Sequence, residues 1–410
     1  MIGSVDVYTL VLLYIGVALI LAKTLGSVFE HYRLPAVLGE IIAGVFLGAS
    51  FLDLFYSGVG DVFSKPEFRY PVEYMAHFGI ILLLFLSGLE TDVRTIKKTG
   101  FVAATSTVGG VVLPFILGYF AGVHLGYSHQ ASMVLGALLT ATSIGVTART
   151  MMDLGVLSTD VGTASLSASV MDDFLGIIAI IIALGATSLS SILFLIFNIF
   201  LLVFVELILG WKFIDHYVRA AEKVKTAKAI LAFTIALVMI FSAFAQYTVE
   251  AAVEGAFFAG LVLRKTPEAR ALLRDVRALG YGFMIPIFFV HVGSLIDLKV
   301  FTQTPALYLA AVILLIAILG KVAGRAIGAR VGGFSWRKSI QMGVGSIPRM
   351  EIALVAVMLA IKGGALGDPS GVVAQRFLAA TMVFVTVTTL ITPPLIKLAF
   401  REELKEKGKK

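Results

Sequence analysis

Long apolar segments recur along the whole chain, and their length limits the possible folds more than any other feature. A helix that crosses a bilayer needs about 20 mostly apolar residues. Segments of that kind, the ninth being short, lie near residues 7–25, 36–52, 72–89, 101–125, 131–150, 158–185, 189–210, 227–247, 251–263, 281–296, 306–328, 339–361 and 377–397. Membrane β-strands would instead alternate apolar and polar residues over about 10 positions. The sequence therefore predicts an all-α polytopic membrane protein with 13 transmembrane helices.

The composition excludes several other classes of protein. Hydrophobic residues make up 59% of the chain and charged residues 14%, whereas soluble domains have about 45–50% and 25%. A soluble enzyme, a disordered protein and a coiled coil are excluded on this basis. The chain has no cysteine, so disulfides and cysteine-ligated metals are excluded too. The first segment lacks a basic leader and a cleavage site, and we expect a retained helix.

Lysine and arginine residues predict the orientation, because they are enriched in cytoplasmic loops. With the N-terminus outside, most of them, including Arg149 and Arg325, fall in cytoplasmic segments. The C-terminus is then cytoplasmic, with 401–410 as a short basic tail. These residues are scattered over seven segments. This distribution argues against nucleic-acid binding and leaves membrane lipids as the expected partner of the surface.

Two pairs of segments indicate an internal repeat. Leu38–Gly48 and Glu254–Arg264 share the pattern G-x3-A-G-x2-L, and Phe78–Val93 and Phe283–Leu298 share Phe, Ile, Gly and Asp in register. The copies would comprise helices 2–6 and 9–13. Because five helices is an odd number, the copies would have opposite orientations, as in secondary transporters. The alternative is ordinary helix packing through small residues.

Polar interruptions occur at corresponding places in the two predicted repeats. Thr140–Thr147 interrupts helix 5 and Gly345–Ile352 interrupts helix 12, where Pro348 removes a backbone donor. Unwound backbone is tolerated in a membrane only inside protein or along a cavity, where its carbonyls can coordinate a cation. For Thr140 and its neighbours Thr142 and Ser143, hydroxyl bonding to the preceding turn of an intact helix is an equal alternative.

Two adjacent acids lie at the centre of predicted helix 6. A charge at this depth costs roughly 2.5–3.5 kcal/mol, so Asp172 and Asp173 are functional candidates. Adjacent helical residues point about 100° apart. We therefore expect one carboxylate to face an ion pathway and the other a neighbouring helix. Ser169 lies one turn before Asp173 and is a candidate cation ligand.

The remaining charged residues at membrane depth have either a functional or a structural role. Lys321 either extends to the cytoplasmic interface or provides the counter-charge that the two aspartates need. Arg349 and Glu351 flank the interruption in helix 12, and a structural ion pair between them is the favoured interpretation. Structural roles are also favoured for Glu40 and Glu254, which occupy similar places in the repeat.

These residues carry a family resemblance that covers essentially the whole chain. The chain resembles monovalent cation:proton antiporters of the superfamily that includes the NapA, NhaA and Kef proteins. The matching motifs are L-G-E-I-I-A-G (38–44), L-L-F-L-S-G-L-E-T-D (83–92), T-A-T-S (140–143), M-D-D (171–173), G-K-x2-G-R (320–325) and P-R-M-E (348–351). The double aspartate followed far downstream by a lysine is the most specific of them.

The resemblance implies a fold with two domains. A dimer domain would comprise 1–100 and 227–300, and a core transport domain would comprise 101–187 and 301–400, with 188–226 as a bridging helix and cytoplasmic loop. Helices 5 and 12 would cross at their unwound centres. Asp173 would be the principal ion and proton carrier, and Asp172 would pair with Lys321.

The implied function is electrogenic exchange of Na⁺, with Li⁺ as a further substrate, for H⁺. It would proceed by elevator-type alternating access in a homodimer of a prokaryotic inner membrane and serve pH homeostasis, without catalytic residues or a cofactor. The expected ligands of Na⁺ and H⁺ are Asp172, Asp173, Thr142, Ser143 and Ser169. Support for the helix breaks would come from Thr140, Pro348, Arg349 and Glu351.

Two departures from the family pattern bear on this expectation. Met350 stands where relatives often have glycine, so helix 12 is expected to unwind differently. The sequence shows no nucleotide-binding domain of the glutathione-gated potassium efflux type, and it keeps the first aspartate. The lack of this domain in the sequence and the retained first aspartate both favour a sodium exchanger over a K⁺/H⁺ antiporter or Kef-type efflux system. A sodium-coupled organic-anion symporter is a further alternative, although the chain contains a single asparagine, Asn198.

Overall fold

A computed structural model describes residues 6–48, 51–52, 65–185, 189–296, 304–368 and 371–407, and these residues form helices and connecting turns. The helices are α1 (Val7–His31), α2 (Ala36–Leu47), α3 (Pro66–Glu90), α4 (Val93–His124), α5 (His129–Leu138), α6 (Ile144–Asp153), α7 (Asp160–Ala183), α8 (Leu189–Val203), α9 (Gly210–Glu222), α10 (Ala229–Val249), α11 (Ala252–Leu263), α12 (Ala269–Leu279), α13 (Ile285–Ser294), α14 (Thr304–Val331), α15 (Trp336–Val344), α16 (Glu351–Lys362), α17 (Val372–Ala399) and α18 (Arg401–Lys407). A first π turn, Phe204–Leu209, joins α8 to α9, and a second, Gly280–Met284, joins α12 to α13.

The length of these helices suits a membrane protein. In the described part of the chain, nine helical stretches are long and apolar enough to cross a bilayer, and α2 and α11 are shorter apolar helices. An all-helical polytopic fold therefore agrees with the prediction. The total of 13 spans and the inverted repeat stay predictions.

The chain divides into two compact units. Unit 1 comprises Met1–Val93 and Ile196–Asp297, and unit 2 comprises Arg94–Leu195 and Leu298–Lys410. Each unit is thus assembled from two separate stretches of sequence. Their assignment as a dimer domain and a transport domain stays a prediction.

Unit 1 is held together by helices that approach at glycines. A Cβ added at Gly44 would lie 2.0 Å from the carbonyl oxygen of Val290, and one at Gly293 would lie 1.9 Å from that of Ile41. These positions join α2 to α13 with no room for a side chain. In the predicted repeat, Gly260 corresponds to Gly44, and a Cβ there would lie 2.3 Å from the carbonyl oxygen of Phe85. Small-residue packing is the usual way membrane helices come close.

Gly293→Ala is expected to destabilise unit 1 strongly. The added methyl group would meet backbone atoms of α2, which cannot move aside as a flexible side chain would. Overpacking of this kind costs about 1–3 kcal/mol or more. We expect a lower melting temperature in detergent, followed by fluorescence. Gly16→Ala is the matched control, because a Cβ at Gly16 meets nothing within 4 Å, and alanine favours a helix. Equal melting temperatures for the two variants would contradict the close approach.

In unit 2, α4 and α14 also approach each other closely at glycines. A Cβ at Gly109 would lie 2.1 Å from the carbonyl oxygen of Gly324, and one at Gly324 would lie 2.2 Å from that of Gly109. Hydroxyl side chains at Ser128, Thr159 and Ser335 cap the first turns of α5, α7 and α15, satisfying backbone donors that a helix leaves free. Unit 2 therefore holds α7 and α14, which carry the central charges, in a tightly packed frame.

Candidate ion-binding site

Both predicted interruptions are breaks in the helices of unit 2. α5 ends at Leu138 and α6 begins at Ile144, so helix 5 of the prediction is two short helices. α15 ends at Val344 and α16 begins at Glu351, which leaves Pro348 in the second break. The first break (residues 139–143) and the second break (residues 345–350) thus lie where the sequence places its polar interruptions.

The two breaks are hydrogen-bonded to each other. The backbone N–H of Ser143 donates to the carbonyl oxygen of Pro348 at 2.7 Å. The hydroxyl of Thr147 donates to the carbonyl oxygen of Gly345 at 2.6 Å. Backbone groups that lose their helical partners therefore find partners in the other break, as buried groups in a membrane require.

Basic side chains satisfy the carbonyls at the C-terminal end of α5. Arg349 Nη2 donates to the carbonyl oxygen of Leu139 at 3.2 Å, and Lys321 Nζ donates to that of Thr140 at 2.7 Å. A helix C-terminus carries a partial negative charge and unpaired carbonyls. The two cations therefore stabilise the open end of α5.

Asp172 is the centre of a buried charge network. Its Oδ2 accepts hydrogen bonds from Lys321 Nζ at 2.8 Å and from the Thr142 hydroxyl at 2.6 Å. Oδ2 also accepts from Arg325 Nη2. Asp172, Lys321 and Arg325 are each 0% exposed. Removing charges from water is costly, so such a cluster persists only where opposite charges and hydrogen bonds compensate it.

Asp173 follows Asp172 on α7 and lies in the same unit. It is 4% exposed and interacts electrostatically with Arg349. Ser169, also buried, lies one turn earlier on α7. The different surroundings of Asp172 and Asp173 follow from the angle of about 100° between adjacent helical residues. Carboxylate and hydroxyl oxygens are the kind of ligand that hard cations prefer.

The side chains of Arg349 and Met350, in the second break, contact residues of the first break. Arg349 Nη1 donates to the Thr142 hydroxyl oxygen at 3.3 Å and to the carbonyl oxygen of Ser346 at 2.9 Å. The Ser143 hydroxyl donates to Met350 Sδ at 3.0 Å. Methionine therefore makes a side-chain contact in the break that glycine cannot make. The predicted pairing of Arg349 with Glu351 lies outside the described side chains.

Threonines in the first break differ in what they do. The Thr140 hydroxyl donates to the carbonyl oxygen of Ala137 at 2.7 Å, which is the local bonding considered as the alternative. Thr142 instead reaches Asp172. Local bonding by Thr140 is thus compatible with a broken helix.

Arg325 is the residue that reasoning from the sequence missed. The sequence predicts a cytoplasmic position for Arg325, whereas the structure buries it within α14 against Asp172. A Cβ at Gly110 would lie 2.7 Å from Arg325 Cγ, so the glycine on α4 leaves room for the arginine. The available signal was its spacing, because residues four apart, such as Lys321 and Arg325, share a helix face.

Comparison with known proteins identifies the family. The family model described as sodium/hydrogen exchanger, transmembrane, matches residues 16–401. The chain belongs to the sodium/hydrogen exchanger family. The resemblance to monovalent cation:proton antiporters is thereby confirmed, and the chain is a multi-pass membrane protein of a transporter family rather than an enzyme family.

Individual relatives of this exchanger match over almost their full length. The high-affinity Na⁺/H⁺ antiporter NhaS3 of Synechocystis sp. is 33% identical, with 97% of this chain and 91% of NhaS3 covered. The Na⁺/H⁺-K⁺ antiporter GerN of Bacillus cereus is 30% identical, with 94% and 95% covered. The solved structure of the sodium proton antiporter MjNhaP1 from Methanocaldococcus jannaschii has a TM-score of 0.65 at 16% identity, with 97% and 98% covered. The last comparison shows a shared fold.

Proposed function

We propose that the chain exchanges Na⁺ for H⁺, with Asp172 and Asp173 as the groups that bind them. The observation that carries the proposal is the pair of adjacent aspartates, buried inside a membrane helix and surrounded by two hydrogen-bonded helix breaks. An acid pair at this depth is costly and is a mark of ion pathways and proton relays. The names of the relatives NhaS3 and GerN support the same substrates.

Asp173 is the principal carrier in this proposal. Asp172 already accepts three hydrogen bonds at one oxygen, from Thr142, Lys321 and Arg325, so its carboxylate is held within the charge network. Na⁺ therefore binds first at Asp173. Thr142, Ser143 and Ser169 supply hydroxyl oxygens, and Thr140, Pro348, Arg349 and Glu351 support the breaks around them.

Coupling arises because protons and Na⁺ compete for the same carboxylates. When Na⁺ binds, it attracts Asp172 as well, and the ion pair between Asp172 and Lys321 weakens. In this proposal Asp173 and the pair formed by Asp172 and Lys321 each release one proton when one Na⁺ binds. Two H⁺ therefore exchange for one Na⁺, each cycle moves one net charge, and exchange is electrogenic. Unit 2 contains all of these residues and moves as the carrier in an elevator-type cycle.

The setting of this exchange is likewise a proposal. A homodimer in a prokaryotic inner membrane, with the N-terminus outside and the C-terminus in the cytoplasm, would expel Na⁺ at the expense of the proton gradient and so serve pH homeostasis. Na⁺ and H⁺, with Li⁺ as a further substrate, are the ligands, and no cofactor takes part.

Exchange of K⁺ for H⁺ is the second candidate. The name of the relative GerN includes both Na⁺ and K⁺, which supports K⁺/H⁺ exchange as a candidate. The first aspartate, Asp172, favours Na⁺, because Kef-type efflux systems usually replace it. A sodium-coupled organic-anion symporter is the weakest alternative.

A panel of cations in proteoliposomes tests the function. Na⁺, Li⁺ and K⁺ are added in turn to vesicles that have an acidic interior and a dye reporting the pH difference. We expect Na⁺ and Li⁺ to dissipate the pH difference, with a rate that changes when the membrane potential is clamped. A response to K⁺ alone would select the second candidate. No response to any cation, with the protein correctly folded, would contradict antiport.

A further inference from the structure

Unit 1 contains two buried glutamates that the proposed transport site does not use. Glu206 lies in the first π turn and is 1% exposed, and Glu254 lies in α11 and is 4% exposed. α11 packs against the first π turn. π turns within helices occur frequently at functional sites, so a carboxylate held in one requires an explanation.

Glu206 lacks the partners that a buried carboxylate requires. Neither of its oxygens has a hydrogen-bond partner in the described part of the chain. The charged group with which Glu206 interacts electrostatically is another acid, Glu254. Isolated ionised carboxylates in apolar surroundings are strongly unfavourable, and in proteins such groups are neutralised instead.

Glu40 and Glu90 are two glutamates of unit 1 that each have a cation beside them. Glu40, which occupies a place similar to that of Glu254 in the predicted repeat, lies 3.6 Å from Lys23. Glu90 lies 2.6 Å from Arg277. Glu206 and Glu254 therefore differ from these ion pairs, because both members of the pair are acids.

The surroundings distinguish the two members of the pair. Glu254 lies in the first turn of α11, where the positive end of the helix dipole and free N–H groups favour a negative charge. Glu206 lies between α8 and α9 within continuous helix and has no such support. The charge is thus better accommodated at Glu254, and the neutral form at Glu206.

We propose that Glu206 and Glu254 form a proton-binding site in unit 1, in which Glu206 holds the proton and Glu254 carries the charge. A metal cation fits less well, because it requires several ligands, and no cluster of three His, Asp or Glu side chains suited to a metal is found among the described residues. The site is independent of the proposed transport site in unit 2. Proton loss at this pair would change the charge of unit 1 without a transported cation.

Infrared difference spectroscopy between acidic and alkaline pH tests the site, because it detects the carbonyl stretch of a protonated carboxyl directly. The full chain is reconstituted in lipid with Asp172→Asn and Asp173→Asn as a common background. This background removes the transport acids, so failure of the antiport proposal would leave the measurement intact. Circular dichroism checks that each variant is folded.

The proposal expects one protonated carboxyl at neutral pH that disappears at alkaline pH and is missing in Glu206→Gln. Glu254→Gln should keep the band but move its midpoint to lower pH by about one unit or more, because the neighbouring charge is gone. Glu40→Gln is the matched control and should leave the band unchanged. A Glu206→Gln spectrum identical to that of the background, or a band removed instead by Glu40→Gln, would overturn the proposal.

Discussion

Asp173→Asn is expected to abolish Na⁺-driven dissipation of a pH difference in proteoliposomes, down to the level of empty vesicles. Asparagine keeps the size of the side chain but can neither release a proton nor provide a full negative charge for Na⁺. The side chain is 4% exposed. The rate of dye response after addition of Na⁺ is the measurement.

Asp160→Asn is the matched control on the same helix. Asp160 begins α7 and pairs with Lys98 at 2.9 Å and Lys338 at 3.5 Å, with 29% of its side chain exposed. Partly exposed ion pairs contribute about 0–1 kcal/mol, so this variant should transport normally. Full activity of Asp173→Asn in folded, correctly inserted protein would remove Asp173 as the carrier.

Hydropathy and proline chemistry predict much of this fold. Apolar length locates the spans, and Pro348 marks the second break because proline removes a helical donor. The first break is harder to predict, since Thr140 can bond to the preceding turn in either an intact or a broken helix. What distinguishes the two is the bond from the Ser143 N–H to the Pro348 carbonyl, which joins segments far apart in the sequence.

The charged residues mark the limit of reasoning from sequence position. The sequence leaves both the interface and the aspartates open for Lys321, because position in a helix does not fix the direction of a long side chain. For the same reason, the count of basic loop residues predicts a cytoplasmic position for Arg325. The contact of both residues with Asp172 becomes evident once α4, α7 and α14 are packed together.

Glu206 is a second example of this limit. In the hydropathy pattern Glu206 is one acid in a long apolar stretch, and the first π turn has no clear signature in the sequence. Its relation to Glu254 depends on how α11 packs against that turn. Tertiary contacts, rather than local preferences, therefore decide which buried acids share surroundings.

Removing both cations from Asp172 is expected to destabilise unit 2 far more than removing either one. In Lys321→Met or Arg325→Met the other cation still compensates Asp172. In the double variant Asp172 keeps its electrostatic interaction with Arg349 but loses both ion-pair partners, and loss of the partners of a buried charge costs about 3–5 kcal/mol. We expect a modest fall in melting temperature for each single variant and a fall larger than their sum for the double variant.

Asp172→Asn in the double variant tests the reason for this loss. Asparagine removes the uncompensated charge and can still accept a hydrogen bond from Thr142, so much of the melting temperature should return. Arg330→Met is the control, because Arg330 is an exposed residue near the end of the same helix. Simple additivity of the single variants, without recovery by Asp172→Asn, would mean that Lys321 and Arg325 stabilise α14 by packing rather than by compensating Asp172. Additivity with recovery would mean that each cation compensates the carboxylate independently, and that neither takes over when the other is lost.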